Sequence, residues 1–136
     1  AWNYVFNGSW MFIEECEAWV HGAVYRNVFD EFKSFKYSRL PRLNTNTSLN
    51  KEEIEVLEFV KENYLDVYSA KTLEKICHLE EPFKKTRGTL EENVRSESTI
   101  SKDSIAKYYK KIAKKYSISS ENTINIRNYL NELLFT

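Results

Sequence analysis

His78, Glu80 and Glu81, just ahead of Pro82, are the residues of this 136-residue chain whose types come closest to an acid–base pair. An imidazole titrates near neutrality, and a neighbouring carboxylate can fix its tautomer, which is what a general acid or base requires. A small hydrolase would also need a positioned nucleophile, and the sequence offers none. An imidazole that satisfies a helix-terminal carbonyl or pairs with a carboxylate explains the same residues, so no catalytic residue is expected and the chain is read as not an enzyme. Cys16, His21, Cys77 and His78 have the types that tetrahedral zinc accepts. Cys77 and His78 are adjacent, however, and helical neighbours point about 100° apart, away from a common ion. Neither a metal nor a cofactor is expected. No stretch resembles a P-loop, a dinucleotide fingerprint or a metalloprotease motif.

The run Lys107 to Tyr116, KYYKKIAKKY, mixes cations with rings and invites a nucleic-acid reading. Its spacing is that of an amphipathic helix, with Tyr109, Ile112 and Tyr116 on one stripe and Lys107, Lys110, Lys111, Lys114 and Lys115 over the rest. Twenty basic residues balance twenty acidic ones. That removes the net attraction on which nonspecific nucleic-acid or membrane binding depends. A helical DNA-binding regulator of a mobile element is therefore the alternative reading rather than the leading one. Only Cys16 and Cys77 occur, without CxxC spacing, so free thiols and a cytoplasmic setting are expected. No apolar run approaches the ~18 residues of a membrane span.

The elements that must position these residues read as helical. With 3 Gly and 2 Pro in the chain, apolar spacing is mostly three and four. The expected fold is all-α, a compact bundle of about six to seven short helices in a single domain over residues 1–136. A helix over Ala1–Phe6 breaks near Gly8. A second is expected over Met11–His21 and a third over Ala23–Phe35, with Val24, Val28, Phe32 and Phe35 packing inward. Ser38–Asn50 reads as the main loop. Asn50 with Glu53 forms a capping pair for a helix whose buried stripe is Ile54, Leu57, Val60 and Tyr64. Ser69 opens the next helix, with Leu73, Ile76 and Cys77 inward. Pro82 starts a short one that Gly88 stops. Leu90–Thr99 is a polar link, Ser101 caps a helix to about Tyr116, and Ser120 caps the last, with Ile124, Arg127, Leu130, Leu133 and Leu134 on its packing face.

Two peptides stand out against this frame. In Glu17-Ala18-Trp19-Val20-His21-Gly22-Ala23-Val24-Tyr25, the Trp lies three residues before a glycine that can take positive φ or admit a close backbone, so its ring is expected over a break between two helices. The second peptide runs from Leu73 through His78, Glu80, Pro82 and Phe83 to Arg87. Both resemble signature blocks of the Panacea domain, the phage-associated, SocA-like antitoxin family, and Ile100–Tyr109 is similar to its closing block. Ala23, Cys77 and Phe83 stand where the family usually has Pro, Thr and Trp. The resemblance implies a cytoplasmic antitoxin, often encoded in prophage or mobile elements. Such a domain binds a cognate toxin and neutralises it by direct contact, or delivers it to a protease or its unfoldase. It marks Trp19, Gly22, Tyr25, His78, Glu80, Pro82, Phe83 and Arg87 as signature or partner-binding residues, with Tyr25, Phe83 and Arg87 as candidate surface anchors. It also implies a further helix upstream of Ala1, an element these 136 residues are expected to lack.

Overall fold

The structure is a computed structural model that describes residues 1–45 and 47–136. Among the described residues seven α-helices carry the architecture: α1 Trp2–Asn7, α2 Arg26–Phe32, α3 Lys51–Val60, α4 Ala70–Leu79, α5 Glu81–Arg87, α6 Lys102–Tyr116 and α7 Thr123–Phe135. Their starts follow from side chains that satisfy orphan amides. Asn50 Oδ1 accepts the Glu53 N–H at 2.8 Å while its amide donates back to the Glu53 carboxylate at 2.9 Å, a reciprocal cap. Ser69 accepts from the Thr72 amide and Ser101 from the Ser104 amide. Pro82 occupies the first turn of α5, and Gly8 ends α1 in the left-handed region at φ 76°.

The main core is where α1, α3, α4, α6 and α7 meet. Trp2, Val56, Phe59, Ile76, Ile112, Ile126, Tyr129 and Leu130 are buried together there. Trp2 sets its ring edge-on to Phe59 and Tyr109 and stacks on Phe6, so short α1 is held by aromatic packing rather than by its own length. A smaller cluster of Cys16, Ala18, Phe83 and Ile100 lies under α5.

The helix expected over Met11–His21 does not form. Glu17–Trp19 is strand β1, paired antiparallel with β2, Gly22–Val24, with Trp19 opposite Gly22 across a two-residue turn. The far edge of β1 pairs with the Leu90–Thr99 link: Ala18 N–H donates to Ser98 O at 2.8 Å, Ile100 N–H to Cys16 O at 2.9 Å, and Glu17 bridges Thr99. One edge of the β1 backbone is thus satisfied by the adjacent β2 and the other by partners some eighty residues on, which overrides the helical reading. Cys16 and Ala18 alternate inward around Glu17, the period of a strand. The expected third helix is shortened to α2 plus a 3-10 turn at Lys33–Phe35, and α2 buries no residue. It is tied down by the fork of Arg26 on Glu17, at 2.7 and 2.9 Å, and by Phe29 against Trp19.

Two packing faces match expectation only in part: Val60 and Tyr64 of the first stripe and Leu130, Leu133 and Leu134 of α7 pack in the main core as expected, and the remainder do not. In α3 the buried residues are Val56 and Phe59, while Ile54 and Leu57 are 44% and 42% exposed. Apolar residues wrap so much of this helix that spacing leaves the phase open, and the fit of Phe59 to Trp2 and Phe6 sets it. In α7 the cap is Asn122, which accepts from the Ile124 and Asn125 amides, not Ser120. Ile126, Tyr129 and Leu130 are buried while Ile124 lies exposed. The loop expected over Ser38–Asn50 carries no helix or strand at its described positions, with Asn46 outside the described residues. Among the described residues no helix is long and apolar enough to cross a membrane.

Candidate functional site

The two marked peptides meet. The hairpin formed by β1 and β2 packs against α4 and α5. The Ala23 amide donates to Cys77 Sγ at 3.3 Å, so the thiol serves as its acceptor. Gly22 is buried at φ 131°, and a Cβ there would lie 3.6 Å from Cys77 Sγ, ordinary contact distance. Backbone conformation rather than space therefore requires the glycine. Burial pushes the Cys77 thiol up to about 11 and raises Cys16 as well. Both remain protonated at neutral pH and are poor nucleophiles and poor metal ligands. His21 lies 3.2 Å from Glu74, one turn before Cys77 on α4, and among the described residues no group of three or more His, Cys, Asp or Glu converges as a metal site.

Arg87 closes the junction. It is 8% exposed, and its guanidinium donates to the carbonyls of Ala18, Glu91, Glu92 and Val94 at 2.6 to 3.4 Å. It ties the hairpin to the link, and all four acceptors are backbone oxygens rather than carboxylates. Phe83, 5% exposed, carries the His78 ring stacked 4.8 Å away and the Arg87 guanidinium 6.0 Å from its centroid. Phe83 and Arg87 are consequently not the free surface anchors expected from sequence, because one turn of α5 points both at the hairpin. His78 Nε2 is enclosed and has no hydrogen-bond partner among the described residues. Tyr25 is half-buried against Phe12 and the second cluster, and Trp19 lies with Arg26 and Phe29.

Glu80 serves a different place. Its carboxylate, 8% exposed, accepts the Tyr109 hydroxyl at 2.6 Å and the Tyr129 hydroxyl at 2.8 Å, and Tyr129 is in turn 2.8 Å from the Tyr108 hydroxyl. Burial pushes the Glu80 carboxyl above the ordinary carboxylate range, with the two tyrosine bonds partly offsetting it. This network locks α4 to α6 and α7. Spacing within one helix could not reveal it, although two of its tyrosines stand in the closing block.

Where hairpin tip, α4, α5 and link come together they enclose an open groove of about 940 Å³. Of the marked residues it is lined by His78, Phe83 and Arg87, while Trp19, Gly22, Tyr25, Glu80 and Pro82 are not on its walls. Val20, His21, Lys75, Leu79 and Lys84, inside the marked stretches, and Leu90 also line it, none of them singled out individually from sequence as a partner-binding residue. They sit within or beside the marked peptides, but without the hairpin nothing places them on one surface.

A model of the family described as "Antitoxin SocA-like, Panacea domain" matches residues 1–84, more than half of the chain. The chain belongs to this antitoxin family. The match takes in the hairpin peptide and the second peptide through Phe83 of the Panacea domain, while Arg87 and Ile100–Tyr109 lie beyond it. No curated protein and no solved structure matches the chain.

Proposed function

We propose that this Panacea domain is a protein-binding antitoxin, without chemistry of its own, that neutralises a cognate toxin by direct contact or by delivering it to a protease. The observation that carries this reading is the meeting of the two marked peptides around one groove, within a family of antitoxins. Within the marked set the structure supports a division of labour. Gly22, Glu80 and Pro82 shape the scaffold, whereas His78, Phe83 and Arg87 form the groove floor. His78 lines the groove while stacking on Phe83, so a marked polar ring forms part of this surface. The rival reading, a DNA-binding helix at Lys107–Lys115, is weakened by Lys115 pairing with Glu132 and by Lys110 resting 4.7 Å from the Tyr4 ring.

Co-expression with the product of the adjacent reading frame tests the proposal. The expected result is a neighbour that arrests growth alone, is harmless beside this chain, and co-purifies with it. A neighbour that is harmless alone and forms no complex refutes it.

A further inference from the structure

Charge around the groove is lopsided in a way the whole chain is not. Its cations are Lys71, Lys75, Lys84 and Arg87, and its carboxylates are Glu74 and Glu92. Glu74 is already engaged by His21 at 3.2 Å and Lys71 at 3.3 Å. Among the described residues Lys75 and Lys84 form no ion pair, and Arg87 is a buried cation whose acceptors are all carbonyls. A cleft with apolar walls and uncompensated charge of one sign concentrates potential at its floor. The apolar part of that floor is Leu79, Phe83 and Leu90, the last 44% exposed.

We infer that the groove holds an extended acidic segment of the partner protein, carboxylates set against Lys75 and Lys84 above Arg87, and an apolar side chain against Leu79, Phe83 and Leu90. This deepens the antitoxin reading and rests on it for the identity of the partner as a protein. A peptide is favoured over nucleic acid for two reasons. A phosphate chain leaves the apolar floor unused and brings its charges against Glu92. The chain's twenty cations and twenty anions also give no general attraction for a polyanion. The buried cation makes the floor selective, because an acidic group gains its attraction without having to displace a resident carboxylate.

The test compares wild type with K75E/K84E and with K111E/K114E, which changes exposed lysines of α6 outside the groove. Two probes are used: a fluorescein-labelled decapeptide of alternating Glu and Leu, with its Lys/Leu counterpart, and the product of the adjacent reading frame. The expected result is binding of the acidic peptide at least tenfold tighter than of the basic one. K75E/K84E should weaken both the acidic peptide and the neighbour protein tenfold or more, while K111E/K114E leaves both unchanged. Thermal melts must coincide among the three proteins, and K75Q/K84Q replaces the reversal if they do not. If the neighbour binds wild type and K75E/K84E equally, the groove inference fails and the antitoxin reading stands. If the neighbour does not bind wild type but the acidic peptide binds and depends on Lys75 and Lys84, the antitoxin reading fails and the groove inference stands. No preference between the two peptides, or tighter binding of a duplex oligonucleotide than of the acidic peptide, overturns the inference.

Discussion

Replacing Glu80 separates what its charge does from what its hydrogen bonds do. In Glu80→Ala the hydroxyls of Tyr109 and Tyr129 lose their acceptor inside the core, and Tyr108 loses the polarised partner it donates to. Two such bonds at about 1 to 3 kcal/mol each, reduced because a buried carboxylate no longer has to be kept ionised, give a net loss of about 3 kcal/mol. In a domain of this size that lowers the melting temperature by about 10 °C. In Glu80→Gln one amide oxygen accepts from Tyr129 and the amide nitrogen donates to Tyr109, so stability at pH 7 should stay within about 1 kcal/mol of wild type. The two variants also differ in pH dependence. The folded-state carboxyl is raised by burial, so the folded protein binds its proton more tightly than the unfolded chain does. The contribution of the group is therefore complete below the unfolded value. It is lost as pH rises through the folded value, by about 1.4 kcal/mol for every tenfold difference in proton affinity. Urea unfolding followed by tryptophan fluorescence at pH 4 to 8 measures all of this. Wild type should lose stability relative to Glu80→Gln as pH rises across that window. Glu80→Ala within 1 kcal/mol of wild type, or a wild-type advantage over Gln that grows with pH, would refute the reasoning.

Gly22→Ala should cost about 1 to 3 kcal/mol through positive φ alone, seen as a lower melting temperature; an unchanged melt would mean the turn relaxes freely. Asn50→Ala should cost about 1 kcal/mol by unmaking the reciprocal cap of α3, measured by urea titration. Cys77, its thiol pushed up to about 11, should be only ~0.1% thiolate at pH 8 and react with iodoacetamide far more slowly than in urea. Equal rates would show that the thiol is not enclosed. His78→Phe keeps the stack on Phe83 and removes the unpaired nitrogen, so the fold should be unchanged or stabilised by up to about 1 kcal/mol while binding of the neighbour protein falls. A loss of more than 2 kcal/mol would assign the imidazole to the scaffold.

Caps and periodic spacing made most helices legible: Asn50, Ser69, Pro82 and Ser101 start theirs where local rules place them. The hairpin was legible only in retrospect. Cys16 and Ala18 alternate around Glu17 as a strand does, but the run reads with a helical period because the partners of its second edge, Ser98 and Ile100, lie far along the chain. The phases of α3 and α7 were only partly legible for a related reason: Ile54, Leu57 and Ile124 lie exposed although Val60, Leu130 and Leu133 pack as expected. When apolar residues cover more than one face, the neighbour that fits decides, and a single helix carries no information about that neighbour. At the groove, the marked peptides named His78, Phe83 and Arg87, whereas Lys75, Lys84 and Leu90 became visible only once tertiary structure had placed them together.

The groove has walls drawn from Val20 at one end of its sequence span and Asn93 at the other, joined by Arg87 reaching back to Ala18. At ribosomal rates the interval between emergence of the hairpin and of Arg87 is about 3 to 13 seconds. A nascent chain that ends before Arg87 carries the whole hairpin yet lacks part of the groove wall. The groove is therefore complete only once Asn93 has been made and Arg87 has folded back onto the hairpin, with α6 and α7 still to follow.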